Sequence, residues 1–312
     1  MISKLTNNLA STKILVVVGA TAAGKSLFSL QAAKEFSGEV VSADSIQIYK
    51  HLNIASAKPS LADRAKIRHH LIDELELDQA YNSAIFKKLA DRAIEKISKK
   101  NKLPIICGSA MLYIKALLYG LADIPEISKE IIGHVEEIYQ AKGIKYCVNW
   151  LEKLSPQGNN SFADPQRIKR ALAVILQTNK PIEHYQAAHS FKNKRFNYLM
   201  IEIRPPRELI YQKINQRVDQ MIENGLLTEV KNLIDKGYDP KLRPLQSIGY
   251  KQVIKFLNDE LTYQQMIDDI KQKTRHYAKR QLTWFRTQAN PLPATSWDEA
   301  AKDTISNFLS TS

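Results

Sequence analysis

The run Gly19-Ala20-Thr21-Ala22-Ala23-Gly24-Lys25-Ser26 constrains this chain more than any other segment. It fits the pattern G-x4-G-K-[ST]. A β-branched apolar run, Ile14 to Val18, precedes it, and Leu27 to Phe36 follows with helical spacing. The glycines let the backbone curl so that its N–H groups point inward at phosphate oxygens. The following helix N-terminus adds positive potential, Lys25 supplies a point charge, and the Ser26 hydroxyl is a ligand for Mg²⁺. A diphosphate- or nucleotide-binding loop follows. The motif alone leaves open whether the phosphate is transferred, hydrolysed or lost as a leaving group.

Strands and helices alternate beyond the loop. Val40 to Ser42 reads as a second buried strand ending at Asp44, Asn82 to Lys99 as a helix, and Leu103 to Cys107 as a third strand. This alternation predicts an α/β fold, a P-loop NTPase-like parallel sheet flanked by helices. From about Ile124 to Arg195 the β-like runs vanish and helical spacing takes over, broken by the loop signal Ser155-Pro-Gln-Gly-Asn-Asn. Tyr198 to Ile203 then reads as a strand returning to the sheet. The expected organisation is a core in two parts, 1–123 and 196–312, with a helical insertion domain at 124–195.

At ~150 residues per domain, 312 residues suit that division. Only Cys107 and Cys147 are present, which excludes a disulfide framework and a zinc cluster. Cys107 is expected to be a small buried hydrophobe. The stretch Met1 to Lys13 lacks the apolar segment of a secretory signal, and no apolar run approaches the ~20 residues that span a bilayer. A cytoplasmic protein with no membrane partner, acting as a monomer, is expected. The net charge of +13 favours a polyanionic partner.

Asp44 stands where ligands of open parallel sheets gather. Its carboxylate suits proton acceptance from a nucleophile or a metal-bound water, and equally suits an N-cap. His69 and His70 are adjacent, so on a strand they point to opposite faces, which favours hydrogen bonding over a shared metal.

The basic residues fall in three groups. Lys271 to Arg286 holds six Lys or Arg and no acid. Wound as a helix, it places Lys271, Arg275, Lys279 and Arg286 on one face and Lys273, Tyr277, Arg280 and Trp284 roughly opposite. Cations on one side and aromatics on the other suit a phosphate backbone with stacked bases. A solvated basic helix with Trp284 and Phe285 in the core is the plainer alternative. Arg167, Lys169 and Arg170 form a second group, and Arg243 to Lys251 a third.

Taken in order, these segments resemble the tRNA dimethylallyltransferase (tRNA isopentenyltransferase) family, bacterial type. The likeness covers the P-loop, Ser42-Ala-Asp44-Ser-Ile-Gln-Ile-Tyr49, Ala57-Lys58-Pro59, His69-His-Leu-Ile-Asp73 and Met111-Leu-Tyr113. It continues through Asp164-Pro-Gln-Arg-Ile-Lys-Arg-Ala-Leu172, Arg204-Pro-Pro-Arg207, Arg217-Val-Asp219, Ile248-Gly-Tyr-Lys251 and Thr274 to Arg286. The resemblance implies transfer of a dimethylallyl group from dimethylallyl diphosphate to N6 of adenosine 37 in tRNA. Diphosphate leaves, Mg²⁺ assists at Ser26, and no ATP is consumed. By carry-over, Asp44, Lys25 and Arg217 are catalytic, Asp44 accepting the amine proton and Arg217 gripping the diphosphate. The tRNA anticodon stem-loop is the implied partner. It would meet Asp44, Ser45, Ile46, Gln47 and Ala110, then Gln166, Arg167, Ile168, Lys169 and Arg170. Further contacts would come from Gln246, Ser247, Ile248, Gly249, Tyr250 and Lys251, and from Lys279, Arg280, Gln281, Leu282, Thr283, Trp284, Phe285 and Arg286. Ser45 and Gln47 would help read the adenine edge.

Three departures from the family pattern matter. Ala20, Ala23 and Ser26 stand where the family's loop carries Pro, Ser and Thr, and Ala55 and Ser56 replace Gly and Thr before Ala57-Lys58-Pro59. The third is the most serious. Gly108-Ser-Ala-Met-Leu-Tyr113 replaces G-G-T-x-L-Y, so Ala110 lacks a hydroxyl that the family places near the reacting centre. Ser109 carries one a residue earlier and is expected to point elsewhere, and Ala110→Thr is expected to raise turnover. A P-loop kinase shares the loop and the Asp, but leaves Lys271 to Arg286 unexplained. A tRNA-binding protein with a decayed site would rest on Ala110 alone.

Overall fold

The computed structural model describes residues 11–156, 164–288 and 291–311. Most of the Met1 to Lys13 stretch, and the greater part of the loop read at Ser155 to Asn160, lie outside those residues. In chain order the first elements are β1 (Lys13–Val18), α1 (Lys25–Glu35), β2 (Gly38–Ala43), α2 (Leu61–Lys66) and β3 (His69–His70). They continue with α3 (Ser83–Ser98), β4 (Leu103–Gly108), α4 (Met111–Tyr119), α5 (Lys129–Leu154), α6 (Pro165–Thr178) and α7 (Ile182–His189). The last are β5 (Asn197–Ile203), α8 (Arg207–Glu223), α9 (Leu226–Asp235), a 3₁₀ turn (Arg243–Gln246), α10 (Tyr250–Leu257), α11 (Tyr263–Gln288), β6 (Leu292–Ala294) and α12 (Glu299–Ser310).

The sheet has six strands in the order β3-β2-β4-β1-β5-β6, and every pairing is parallel. In β1, Ile14 to Val18 are fully buried, because a central parallel strand is covered on both faces and so reads as an unbroken apolar run. One face packs Leu15, Val17, Ile105, Ile201 and Ile203 against Phe28 and Ala32 of α1 and Ile305 of α12. Trp297 closes this cluster edge-on to Phe28, with ring centroids 5.1 Å apart. α3 begins where Asn82 accepts from the amides of Ala84 and Ile85, both at 3.0 Å.

The chain divides into two compact units, one formed by 1–118 with 194–312 and the other by Tyr119–Asn193. The second is all helical. Its core joins Val135, Cys147 and Leu151 of α5 to Ile168, Leu172 and Ile175 of α6. Gly143, with φ +73°, breaks α5 in the middle. In the first unit the amide of Arg195 donates to the carbonyl of Leu118 at 2.8 Å, so the two segments of that unit meet there. Among the described residues no helix is long and apolar enough to cross a membrane.

Candidate active site

Three parallel strands deliver the site. β1 ends just before Gly19, β2 just before Asp44 and β4 just before Ser109, and their C-terminal edges open into one cleft of about 720 Å³. Gly19 has φ +141°, and a Cβ there would lie 2.5 Å from the Ile203 carbonyl oxygen. Only glycine lets the loop turn off β1 this close to β5. The helix begins earlier than its spacing suggested: Lys25 and Ser26 already belong to α1 rather than to the loop, and α1 ends at Glu35.

Lys25 lines the cleft, and its ammonium donates to the Ala20 carbonyl at 2.7 Å. Burial pushes its pKa down to about 8, with the Arg217 cation adding to the fall and Cys107 and Asp44 opposing it. Arg217, from α8, lines the same cleft. Burial lowers its pKa as well, against the pull of Asp44. Two cations held in a desolvated cleft favour a polyanion, whose charge offsets what burial costs them.

Asp44 caps a turn rather than a helix. Its Oδ1 accepts from the amides of Ile46 (2.8 Å) and Gln47 (3.2 Å), capping a turn, while the residue remains on the cleft wall. Ser26 is exposed on that wall. Among the described residues no three His, Cys, Asp or Glu side chains gather into a metal cage. One hydroxyl and one carboxylate fit Mg²⁺, which keeps several waters and takes further oxygens from substrate phosphates.

The structure redistributes several expected RNA contacts. Ser45, Ile46 and Gln47 all line the cleft, and the side-chain amide of Gln47 also bonds inward. Gln47 accepts from the Ser42 hydroxyl at 2.8 Å and donates to the carbonyls of Ser56 and Ala57, both at 3.1 Å. It braces the 55–57 loop with both amide hydrogens. Tyr250 is wholly buried and donates to Glu229, which also accepts from the Asn53 and Ile54 amides. Gly249 has φ +97°, with a would-be Cβ 2.6 Å from that of Ala55, so it lets the 246–251 segment close on the 55–57 loop. Gln246, Ser247 and Ile248 line the cleft, and Lys251 is exposed beside it in sequence.

In the helical unit, Gln166, Arg167 and Arg170 are exposed. Ile168 is core, and Lys169 is paired with Glu136 at 2.6 Å while lying over the Tyr139 ring. On α11, Lys279, Arg280, Thr283 and Arg286 are exposed, and Leu282 and Trp284 are half-buried. Gln281 and Phe285 are completely buried, so the core alternative holds for Phe285. The cationic face expected along α11 is shorter than its spacing suggested. Lys271 is bound to Asp219 at 2.6 Å and Arg275 donates to Asn215 at 2.7 Å, both on α8.

Four further side chains join the site. Ser109 lines the cleft, contrary to expectation, whereas Ala110 donates its amide to the Ala43 carbonyl at 3.3 Å and is not among the lining residues. Tyr277 is also on the wall and is hydrogen-bonded to Ser109 and Gln281. Burial and then Asp44 hold its phenol above the usual pKa. Lys213 was legible from its i,i+4 spacing to Arg217 on α8. Cys107 is half-buried on the cleft floor, where burial raises its thiol pKa. His69 Nδ1 donates to the Ile67 carbonyl at 2.8 Å, and His70 pairs with Glu39 at 2.8 Å, both in hydrogen-bonding roles.

Known proteins resemble this chain over most of its length. The IPP transferase family profile matches residues 47–288. The chain is 39% identical over 280 residues to the tRNA dimethylallyltransferase of Acetivibrio thermocellus, covering 89% of this chain and 90% of the relative. It is 38% identical over 299 residues to that of Carboxydothermus hydrogenoformans, covering 95% and 94%. Among solved structures, the full-length tRNA isopentenylpyrophosphate transferase of Bacillus halodurans superposes with a TM-score of 0.71 at 30% identity, over 96% of both chains. A eukaryotic dimethylallyltransferase acting on tRNA gives 0.75 at 29% identity, over 88% of this chain and 70% of its own. With the profile spanning most of its length and relatives of this identity covering nearly all of it, the chain belongs to the IPP transferase family.

Proposed function

We propose that this protein transfers a dimethylallyl group from dimethylallyl diphosphate to N6 of adenosine 37 in the tRNA anticodon stem-loop, releasing diphosphate. The observation that carries the reading is the convergence of Lys25, Arg217 and Asp44 on one cleft. The N6 lone pair attacks C1 of the donor, the C1–O bond breaks, and its electron pair leaves on the diphosphate. The amine proton passes to the Asp44 carboxylate. Loop N–H groups, Lys25 and Arg217 meet the charge that develops on the leaving group, which is the largest help such a site can give. The Ser26 hydroxyl would hold Mg²⁺, which would supply further charge neutralisation there when bound.

An exocyclic amine is a weak nucleophile, so orientation beside Asp44 matters as much as basicity. The adenine has to leave its stack to reach the cleft, which costs less in an anticodon loop than in a duplex. Exposed Lys279, Arg280 and Arg286 on α11 and Arg167 and Arg170 on α6 offer cations for the RNA backbone. Two free thiols suit the reducing cytoplasm.

The test is mass spectrometry of unmodified tRNA after incubation with the protein, Mg²⁺ and dimethylallyl diphosphate, with Asp44→Ala alongside. A dimethylallyl mass on adenosine 37 is expected, with the mutant slower by about 10²–10⁴-fold. Unmodified tRNA from the wild type would sink the reading.

A further inference from the structure

Gln281 stands out among the residues of α11. It is wholly buried, near the middle of a helix whose neighbouring positions Lys279, Arg280 and Thr283 are exposed. Its Oε1 accepts the backbone N–H of Thr21 in the phosphate loop at 2.9 Å, across 260 positions of sequence. Its Nε2 donates to the Ser109 carbonyl at 3.4 Å. The partners decide which way the amide points, since a backbone N–H only donates and a carbonyl only accepts. Tyr277, one turn earlier on the same helix, adds hydrogen bonds to Ser109 and to Gln281 itself. Neighbouring side chains Ala278 and Leu282 pack on Ala20 and Ala22 of the loop. One helix therefore carries outward cations and an inward amide that holds a loop N–H.

We propose that Gln281 is a positioning residue that couples RNA docking on α11 to diphosphate binding in the phosphate loop, each ligand tightening the other. The inference rests on the reading of the two ligands given above. RNA held by the exposed cations restrains α11, and the restrained helix holds Thr21, and with it the curl of the loop, in one arrangement. A loop already ordered binds diphosphate at a lower entropic cost, and linkage makes the effect reciprocal. Gln281 touches neither ligand and acts through Thr21 and Ser109.

The experiment measures the Kd of inorganic pyrophosphate, with and without saturating unmodified anticodon stem-loop RNA, for the wild type and for Gln281→Met. Methionine keeps the length of the side chain and removes both hydrogen bonds. In the wild type, RNA is expected to tighten pyrophosphate binding about tenfold. In Gln281→Met that enhancement disappears, while RNA affinity without pyrophosphate stays at the wild-type value. Equal enhancement in both proteins would overturn the inference. So would a parallel loss of both affinities and of Tm, which marks a purely structural role. Should the variant fail to fold, amide hydrogen exchange at Thr21 in the wild type decides: slower exchange on adding RNA supports the coupling, and no change removes it. A wild type that binds both ligands without enhancement defeats the coupling alone. One that binds neither defeats the functional reading as well.

Discussion

Lys25 waits in the cleft with its ammonium on the Ala20 carbonyl and its pKa pushed down to about 8 by burial. Below pH 8 it is charged with or without a ligand. Above pH 8 the empty site holds it neutral, whereas a bound diphosphate restores the charge and raises its pKa. Binding then takes up a proton, so affinity for pyrophosphate is expected to fall by up to about tenfold per pH unit above 8. Calorimetry in two buffers of different ionisation enthalpy checks this. A flat affinity from pH 7 to 9.5, without proton uptake, would contradict it. Asp44 illustrates a second residue-scale point. One of its oxygens caps the turn after β2, so a residue that shapes the loop also lines the cleft.

α11 shows how a helix apportions its charges. Lys271 and Arg275 are spent on α8, while Lys279 and Arg286 face solvent. Replacing Lys279 and Arg286 by Gln is expected to lower the slope of log K against log[salt] for tRNA by about 2, leaving pyrophosphate binding without RNA unchanged. Lys271→Gln is expected to leave that slope unchanged. Equal slopes for the two variants would refute the division. Arg280 differs from both, because it lines the cleft as well as carrying exposed charge, so its loss is expected to weaken both ligands.

Two expectations concern the whole molecule. Leu118 and Arg195 meet through a backbone hydrogen bond, and the Arg195 guanidinium also donates to the Leu117 carbonyl at 2.6 Å. Replacing 119–193 by a short Gly-Ser linker is therefore expected to leave a cooperatively folding core that still binds pyrophosphate but loses tRNA affinity. Loss of the cooperative transition would show that the first unit depends on the second. At the far end of the sheet, Glu39 is buried beneath His70, Lys100 and Lys102. Burial alone would raise its pKa, yet the hydrogen bonds from His70, Lys102 and Lys100 outweigh it and hold the carboxyl at about 2. A folded pKa of about 2 against 4.5 unfolded contributes about 3 kcal/mol, fully present above pH 4.5 and lost as pH falls toward 2. Glu39→Gln is expected to lose stability of that order at pH 7, with the gap from wild type closing in acid. Denaturant titrations at both pH values measure it.

The local features were legible in the chain itself. A β-branched run, a glycine-bounded loop and a lysine leading into a helix specify a phosphate cradle through short-range backbone chemistry. β2 ending just before Asp44 and α3 between Asn82 and Lys99 follow from hydrophobic period and capping. What tertiary structure decided was which polar groups remain free. The resemblance sets Gln47 and Gln281 against the RNA, and the folded chain gives the amide of each partners that neighbouring residues do not reveal, Thr21 being 260 positions from Gln281. Ser109 faces the cleft rather than Ala110 because the turn off β4, pinned by the Ala110 amide to Ala43, sets which side chain looks inward. Hydrophobic period carries the fold because burial is read residue by residue. The hydrogen-bond partner of a side chain is a property of the assembled molecule, and only the folded chain brings both halves of it together.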